Sequence, residues 1–593
     1  MLQLSENQIN HKKNFINDYF LAQNAADGSK IDANANVEQK NIATLEAELL
    51  KDCFVQINRA LVQDKIRETF GDELATEYLR QIAAHEIYVH DETSLKPYCT
   101  SISMYPFLLD GLTQLGGESK APKHLESFCG AFVNLIFAIS AQFAGAVATV
   151  EFITYFDYFA RLEYGDNYLT SHKKAIENHL QHVVYAINQP AAARGYQSVF
   201  WNISLFDQHY FAAMFENFVF PDFSKPNWQT VEQLQQFFLH WLNKEREKAV
   251  LTFPVVTAAM LTENGRCKDD TFARQLAEQK AQGNSFFIYL SDSADSLASC
   301  CRLRNEISDN TFSYTLGAGG VATGSINVIT LNMNRLVQDG RDLLCEIEKI
   351  QKYQVAYRKL MEDYQAKGAL SVYDAGFISL DKQFLTIGIN GMAEAAEFCN
   401  ISPSNNQAYK DFVSNKLQVI YHANQVAKEC YGYMFNTEFV PAENLGVKNA
   451  KWDSKDGYQV NRDCYNSYFY LVEDNNTNHL DKFVLHGKEI TQYLDGGSAL
   501  HLNLDESLST EAYLKLFNVA AATGCNYFCV NVKITICNDC EKIDKRTLMR
   551  CHVCGSENID YGTRIIGYLK RITAFSQGRQ KEHALRHYHK KRA

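Results

Sequence analysis

Two Cys-x-x-Cys pairs near the C-terminus carry the clearest chemical signal in the chain, and their members are Cys537, Cys540, Cys551 and Cys554. Each pair can present two thiolates to one tetrahedral ion, and soft sulfur ligands favour zinc. A redox dithiol pair is the alternative use of this spacing. Because four protein ligands leave no open coordination position, the spacing predicts a structural rather than a catalytic zinc.

A glycine, Gly567, follows the cysteine pairs inside an apolar, strand-like run that includes Ile565, Ile566 and Leu569. Glycine weakens an ordinary strand by about 0.5–1 kcal/mol relative to alanine, so a bulge or a close backbone approach is one explanation. A chemical explanation also exists, because a glycine α-carbon can carry an unpaired electron shared with its amide nitrogen and carbonyl. Such a radical could oxidise a cysteine thiol elsewhere in the chain.

Two adjacent cysteines, Cys300 and Cys301, lie between polar segments and precede the glycine-rich run 316–324. Neighbouring side chains of an extended segment point to opposite sides, so at most one of the two faces a given site. The glycine-rich run lacks the Gly-Lys-Ser/Thr end of a Walker loop. Its backbone amides could cradle phosphate, and a plain turn is the alternative.

With several further strings, these residues resemble the large subunit of the anaerobic (class III) ribonucleoside-triphosphate reductases, the glycyl-radical branch of the ribonucleotide reductases. The strings run in family order over nearly the whole chain. They are His90-Asp91, Lys96 to Cys99, Gln197 to Ser204, Cys301-Arg302, Val328 to Asn332, Thr386 to Gly391, Val440 to Glu443, the four-cysteine ribbon and Arg564 to Leu569.

The alternation of strands and helices predicts an α/β fold, and the resemblance implies a ten-stranded α/β barrel with the Cys301 segment on a loop entering its centre. A chain of 593 residues with 46% hydrophobic content can bury such a core. We expect four regions: a polar N-terminal extension (1–40), the catalytic barrel (41–530), the zinc ribbon (531–557), and the glycyl-radical loop with a basic tail (558–593).

Periodicity predicts helices over 42–84 and about 341–365. Strand-like runs follow the β pattern and occupy 286–290, 326–331, 384–389 and 527–536. The apolar run 129–156 is predicted to be a buried helix rather than a membrane span, since Asn134, Ser140 and Gln142 interrupt it and no basic flanks frame it.

The resemblance implies reduction of ribonucleoside triphosphates to 2′-deoxyribonucleoside triphosphates for DNA synthesis. A radical S-adenosylmethionine activase would remove hydrogen from Gly567, the radical would oxidise Cys301, and the thiyl would take the substrate's 3′-hydrogen. Cys99 is the candidate proton donor for loss of the 2′-hydroxyl, a buried apolar role being its alternative. Glu443, with Glu438 as fallback, is the candidate acceptor of the 3′-hydroxyl proton, and a solvated helix-start charge is the alternative for Glu443.

Three polar residues are candidates for nucleotide contact, namely Ser198, Asn202 and Ser325. Formate-using members of the family carry an Asn where this chain has Ser325, which places formate as reductant in doubt. The favoured alternative is a cysteine pair regenerated by a thioredoxin- or glutaredoxin-like protein. Cys99 with Cys301, or a pair that includes Cys300, could serve.

Composition and resemblance also indicate the partners and the cellular compartment of the protein. A net charge of −11 disfavours non-specific nucleic-acid binding, and sixteen cysteines without a cationic leader and apolar signal run indicate a reducing cytoplasm. The resemblance implies ATP and dNTP effectors and a homodimer, without a complete ATP-cone domain. The basic tail, with Arg579, Lys581 and Arg586 among its cations, is predicted to be solvated or to meet the activase.

Two other functions fit parts of the sequence. A pyruvate formate-lyase-type glycyl-radical enzyme also uses adjacent cysteines and a C-terminal Gly-Tyr, but it lacks the zinc ribbon. A zinc-ribbon nucleic-acid-binding protein would fit the four cysteines, yet the ribbon occupies little of this acidic chain.

Overall fold

A large mixed sheet wrapped by helices organises the chain. The computed structural model describes residues 4–29, 31, 40–191, 196–294, 296–298, 304–306, 322–440, 444–565 and 567–589. In these ranges the strands are β1 (Ile87–Val89), β2 (Cys99–Ser101), β3 (Val147–Ala148), β4 (Trp201–Phe206), β5 (Val255–Glu263), β6 (Arg266–Cys267), β7 (Phe287–Ser291), β8 (Ser296–Ala298), β9 (Arg304–Glu306), β10 (Thr323–Asn332), β11 (Gln383–Asn390), β12 (Met434–Glu438), β13 (Leu500–Leu504), β14 (Tyr527–Val532), β15 (Ile534–Cys537), β16 (Ile543–Asp544), β17 (Ile559–Arg564) and β18 (Leu569–Arg571).

Helices cover the outside of this sheet. They are α1 (Glu6–Leu21), α2 (Ala25–Gly28), α3 (Ile42–Leu49), α4 (Lys51–Phe70), α5 (Asp72–Ala83), α6 (Tyr105–Asp110), α7 (Leu125–Ser140), α8 (Phe152–Tyr164), α9 (Tyr168–Ser171), α10 (Lys173–Ile187), α11 (Gln208–Phe215), α12 (Trp228–Glu245), α13 (Asp270–Ala281), α14 (Met333–Gln338), α15 (Leu343–Ala366), α16 (Ser371–Asp374), α17 (Met392–Phe398), α18 (Gln407–Tyr431), α19 (Leu445–Lys455), α20 (His479–Leu485), α21 (Lys488–Thr491), α22 (Thr510–Thr523) and α23 (Gln577–Leu585), with 3₁₀ turns at Leu380–Lys382 and Ile572–Ala574.

Ten strands form a closed barrel of two halves. β2, β3, β4, β5 and β7 are mutually parallel, and antiparallel pairings join them to β10 on one side and β14 on the other. The two ends of the ten-strand path meet where Glu438 of β12 bridges Gly497, just before β13. Backbone hydrogen bonds at 2.9 Å (Gly496 to Thr437) and 3.1 Å (Phe439 to Gly497) close this seam. The ten-stranded α/β barrel expected from the sequence is thereby confirmed.

Side-chain alternation gives the barrel an apolar outer face and a polar inner face. Trp201 of β4 points outward, with its ring 5.1 Å from Phe152 of α8 and 5.6 Å from Phe132 of α7. Its neighbour Asn202 therefore points inward. All residues of β10 and β11 are buried, as expected for strands covered on both sides.

The predicted elements are largely present. The helix expected near 341–365 is α15, and the runs at 286–290, 326–331 and 384–389 are β7, β10 and β11, while 527–536 divides between β14 and β15. The helical stretch 42–84 forms α3, α4 and α5. In α4 the core-facing residues are Val55, Val62 and Ile66, whereas the apolar Phe54, Ile57 and Leu61 are exposed.

The apolar run 129–156 is not the single buried helix that we predicted. It contains the end of α7, the short strand β3 and the start of α8. The small residues Gly145, Ala146 and Ala148 suit a strand that other chain segments approach closely. None of the helices in the described ranges combines the length and apolar character needed to cross a bilayer.

The C-terminal segment returns to the barrel instead of extending into solvent, which corrects the prediction of a solvated tail for Arg579 and Arg586. Both guanidinium groups are buried and bind the buried carboxylate of Glu582 in α23. Burial tends to raise the pKa of Glu582, but Arg586 and Arg579 hold it below its ordinary value. The segment then pairs with the end of β13, where His589 bridges Leu504.

The N-terminal extension also packs against this region. Asn24 donates hydrogen bonds to the carbonyls of Thr573 (3.0 Å) and Phe575 (2.8 Å), and Asp27 accepts one from the Gln577 amide at 2.9 Å. Within the polar N-terminal extension, α1 and α2 are helices, and residues at the start of α2 cover the chain that follows β18.

Glu582→Gln is expected to loosen the C-terminal segment, because it leaves two buried guanidinium groups without their carboxylate. Breaking a buried ion pair typically costs about 3–5 kcal/mol. Urea denaturation and limited proteolysis within 577–589 would measure the effect. Glu511→Gln is the matched control, since its pair with Arg274 is exposed and should contribute less than about 1 kcal/mol. Equal behaviour of the two variants would show that this network does not hold the segment.

Candidate active site and metal centre

The thiol of Cys99 lies on the inner face of the barrel at the start of β2. It is buried, and its sulfur accepts a hydrogen bond from the Ala146 amide at 3.2 Å. A Cβ on Gly145 would lie 2.4 Å from this sulfur. Glycine at that position is therefore required by the thiol, which occupies the space that a side chain would take.

A row of polar side chains continues from Cys99 across the neighbouring strands. Cys99 pairs with Ser325 of β10, whose hydroxyl lies 2.8 Å from that of Thr386 in β11. Thr386 pairs in turn with Asn436 of β12. Since paired residues share a face of a sheet, these groups line one wall of the barrel interior.

Two residues of this wall, Glu438 and Asn436, are relevant to proton transfer and to substrate binding. Glu438, the fallback proton acceptor, follows Asn436 by two residues and therefore lies on the same face, 7% exposed. The amide of Asn436 is fully buried, and neither its nitrogen nor its oxygen has a hydrogen-bond partner among the described residues. Because buried amides are normally satisfied, this amide marks a place for a polar ligand or a further segment.

The two remaining nucleotide-contact candidates are placed differently. Asn202 faces the interior from β4, and its side-chain oxygen has no hydrogen-bond partner in the described ranges. Ser198 precedes β4 and donates to the carbonyl of Asn188, next to the end of α10, at 2.9 Å. Asn202 and Ser325 thus lie on the inner face of the barrel, whereas the Ser198 hydroxyl is bound to a nearby backbone carbonyl.

Gly567 lies in a buried loop between β17 and β18. Its carbonyl accepts a hydrogen bond from the guanidinium of Arg564 at 2.7 Å. The same guanidinium stacks on Phe287 of β7 (5.1 Å to the ring centre). Phe287 pairs with Thr257 and Cys529 on the inner face, so the loop inserts into one mouth of the barrel.

A second arginine fixes the loop from its other side. Arg586 donates to the carbonyls of Arg564 (3.2 Å) and Ile565 (2.9 Å), and Asn531 of β14 also donates to the Arg564 carbonyl at 3.3 Å. We refer to Arg564 and Arg586 as the arginine clamp. Through it, the C-terminal segment holds the backbone that leads into Gly567.

One aromatic side chain connects the Gly567 loop with the Cys99 wall. Phe200 packs against Cys99 and Ala146 and also against the main core. The ring of Tyr568, next to Gly567, lies 5.5 Å from that of Phe200 and 5.9 Å from that of Phe253. The structure therefore brings the predicted radical glycine and the predicted proton donor into one neighbourhood.

Some predicted residues lie outside the described residues. These are Cys301 with its neighbour Cys300, and Glu443. Other residues of the site were missed from sequence. Gly145 and Asn436 carry no spacing signal, and Phe200 lies within the string Gln197 to Ser204 without a predicted role. Contacts in the fold place Gly145 and Phe200 beside Cys99, and strand pairing places Asn436 on the same wall.

The four ribbon cysteines converge as their spacing predicts. Their sulfurs lie within 4.8 Å of one another, with contacts of 3.6 Å (Cys537 to Cys554) and 3.5 Å (Cys540 to Cys551). Tetrahedral zinc with Zn–S bonds of about 2.3 Å separates its sulfurs by roughly 3.8 Å. The donor set and its spacing thus fit a zinc ion, held on the small sheet β16-β15-β17-β18 that also carries the Gly567 loop.

Comparisons with known proteins agree with this geometry. An anaerobic ribonucleotide reductase of known structure superposes with a TM-score of 0.86 at 27% sequence identity, covering 99% of this chain and 93% of that chain. The anaerobic ribonucleotide reductase from Thermotoga maritima in complex with dATP and CTP gives a TM-score of 0.82 at 27% identity, covering 98% and 100%. The same enzyme with dATP bound in the specificity site gives 0.80 at 27% identity, covering 97% and 100%.

Sequence comparison points the same way. The comparison with curated proteins gave no match, but the family model described as "Anaerobic ribonucleoside-triphosphate reductase" matches residues 46–589. This match favours a ribonucleotide reductase over the pyruvate formate-lyase-type and nucleic-acid-binding alternatives. Because the match spans nearly the whole chain and the barrel agrees with it, this chain belongs to the anaerobic ribonucleoside-triphosphate reductase family and is an oxidoreductase.

Proposed function

We propose that this anaerobic ribonucleoside-triphosphate reductase works through a radical stored at Gly567 and passed to Cys301. The observation that carries the proposal is the buried Gly567 loop, whose Tyr568 ring contacts the Phe200 ring that packs on Cys99. A glycine radical needs a planar α-carbon without a Cβ and protection from solvent. The barrel mouth supplies that protection.

The reaction begins with hydrogen transfer. A radical S-adenosylmethionine activase removes one hydrogen atom from the Gly567 α-carbon. The Gly567 radical then takes the thiol hydrogen of Cys301, which regenerates glycine and leaves a thiyl. The thiyl takes the 3′-hydrogen of the ribonucleotide and becomes a thiol. That hydrogen later returns to the 3′-carbon of the product, which leaves the thiyl again, and the thiyl takes a hydrogen atom back from Gly567 to restore the stored radical.

Cys99 and a carboxylate supply the proton steps. The Cys99 thiol protonates the departing 2′-hydroxyl, which leaves as water. Glu443, as expected from its motif, or Glu438 accepts the 3′-hydroxyl proton. Of the two, Glu438 has the support of its position on the Cys99 face of the barrel.

Polar groups of the inner wall are suited to hold the nucleotide. Asn202, Ser325 and Asn436 face the interior, and the unsatisfied atoms of the two asparagines offer hydrogen bonds to ribose or base. Ser198 is a weaker candidate, because its hydroxyl is already donated to Asn188.

Each turnover consumes two electrons, and we propose that a dithiol supplies them. Cys99 with a second cysteine such as Cys300 would become a disulfide that a thioredoxin- or glutaredoxin-like protein reduces, since Cys301 must stay free to return the 3′-hydrogen. Ser325 supports this choice, since its hydroxyl is engaged with Thr386 and with the Asn327 carbonyl. Multiple turnovers with formate alone, with release of carbon dioxide, would reject the dithiol route.

Nucleotides also act as effectors in our proposal. The Thermotoga maritima enzyme is described with CTP and with dATP in a specificity site. We propose ribonucleoside triphosphates as substrates and ATP and dNTPs as effectors for this chain, acting in a cytoplasmic homodimer. Gel filtration with and without dATP tests the dimer, and a monomer under both conditions would reject it.

A structural zinc completes the proposal. Cys537, Cys540, Cys551 and Cys554 would hold it and so pin the ribbon (531–557) from which the radical-loop segment (558–593) extends toward the barrel (41–530). A closed four-thiolate site supplies folding energy and no catalytic position.

The radical assignment predicts separate outcomes for two substitutions. After anaerobic activation, electron paramagnetic resonance (EPR) should show a glycyl doublet that Gly567→Ala abolishes. Cys301→Ser should retain the doublet and lose deoxynucleotide formation, because the radical is stored but cannot be passed on. Gly117→Ala is the control, since a Cβ there meets nothing within 4 Å. A doublet that survives in Gly567→Ala, or turnover by Cys301→Ser, would contradict the assignment.

Zinc removal should affect the ribbon and spare the barrel. One zinc per chain is expected, and Cys540→Ser should lose it and become sensitive to proteolysis within 537–554. Cys430→Ser, which changes an exposed free cysteine, should retain full zinc. Metal analysis by mass spectrometry checks both variants. Full zinc occupancy in Cys540→Ser would refute the assigned ligand set.

A further inference from the structure

Arg564 does more than close the loop that carries Gly567. Arg564 is 1% exposed, and its guanidinium donates hydrogen bonds to Gly567 and Ser285. They reach the Gly567 carbonyl (2.7 Å), the Ser285 hydroxyl (2.9 Å) and the Ser285 carbonyl (3.1 Å). A long, flexible side chain is thereby fixed with one N–H directed at the carbonyl next to the predicted radical carbon.

Two further basic side chains lie near this guanidinium. Arg246 donates to the same Ser285 carbonyl at 2.8 Å, and the buried ammonium of Lys280 donates to the carbonyl of Phe286. Burial, with a further contribution from Arg564, lowers the pKa of Arg246 to about 9. Burial also lowers the pKa of Lys280 to about 7, and Arg564 and Arg246 contribute to the shift. Three basic side chains thus meet around Ser285 and Phe286, beside the Gly567 loop.

The electronic structure of a glycyl radical explains why the Arg564 N–H at the Gly567 carbonyl affects the radical. The unpaired electron is delocalised from the α-carbon onto the carbonyl, while the amide nitrogen donates electron density. A cationic hydrogen-bond donor to the carbonyl oxygen makes the carbonyl more electron-withdrawing, and this favours delocalisation of the unpaired electron. Charge-assisted hydrogen bonds are about twice as strong as neutral ones, and a water-poor site strengthens them further.

We propose that Arg564 is a positioning residue that stabilises the stored radical by polarising and orienting the Gly567 carbonyl. The proposal rests on the proposed storage of the radical at Gly567. Arg586 differs in role, because it holds the carbonyls of residues 564 and 565 and fixes the path of the loop.

The test uses the full-length enzyme, labelled with carbonyl-¹³C glycine and activated anaerobically by its activase. EPR then reports the ¹³C splitting of the Gly567 carbonyl and the lifetime of the radical without substrate. Arg564→Gln should change the splitting and shorten the lifetime about tenfold, which corresponds to about 1.4 kcal/mol. Arg564→Lys should recover part of the lifetime, since it keeps a cation but not the planar fork.

Two further variants separate polarisation from general loosening of the fold. Ser285→Ala removes only the hydroxyl that orients the guanidinium and should cause a smaller change of the same sign. Arg571→Gln is the matched control, because Arg571 lies in the same ribbon sheet, is one-third exposed and contacts Asn538 and Asp560. It should leave the splitting and the lifetime unchanged.

The outcomes distinguish this inference from the proposed function. A wild-type enzyme without a glycyl signal would refute the storage of the radical at Gly567. A normal wild-type signal with unchanged splitting and lifetime in Arg564→Gln would refute the role of Arg564 alone. If Arg564→Gln does not fold, unchanged splitting in both Arg564→Lys and Ser285→Ala would refute it equally.

Discussion

Arg564, Ile565 and residues 567–569 are held inside one mouth of a closed barrel, and the radical chemistry that we propose depends on that insertion. A backbone α-carbon can exchange hydrogen with a thiol only at contact distance, yet a stored radical must be kept from solvent. The arginine clamp meets both requirements, because it holds the loop in a buried position. Arg564 and Arg586 bind carbonyls of the loop, and Tyr568 places its ring against Phe200 on the wall that carries Cys99.

Burying so many cations is costly unless each one is satisfied. Arg579 and Arg586 share the carboxylate of Glu582, whereas Arg246 and Lys280 donate to backbone carbonyls at the start of β7. The burial of Arg564 and Arg586 is explained by the hydrogen bonds that their guanidinium groups donate to carbonyls of the Gly567 loop. The Gly567 loop is joined to the small four-stranded sheet, since β17 and β18 carry the loop and β15 carries the first of the four clustered cysteines.

The sequence predicted the parts of this site whose chemistry depends on local spacing. The four cysteines converge because their spacing is short, and Cys99 was identified by its motif. The barrel itself followed from resemblance, since alternating strands and helices do not specify closure. Closure depends on the seam between Glu438 and Gly497, which are far apart in the chain. For the same reason, Phe200, Asn436 and Gly145 could be assigned to the site only once their tertiary contacts were known.

The two errors also have physical causes. The run 129–156 was interpreted as one helix because strands buried on both faces are as apolar as buried helices. The basic tail was predicted to be solvated because its partners include a buried thiol (Cys464), backbone carbonyls and the Tyr468 ring, which a charge pattern does not reveal. In both cases tertiary contacts decided what local composition could not.

Hydrogen–deuterium exchange of the resting enzyme tests the central claim most directly, by mass spectrometry of the peptide that spans 564–569. Amides held in the barrel mouth should exchange as slowly as those of β4 and β14. Their exchange should be at least about a hundredfold slower than that of an exposed turn such as 116–118. Exchange of the loop at the rate of that turn would show that Gly567 is not held in the barrel, and the account would fail.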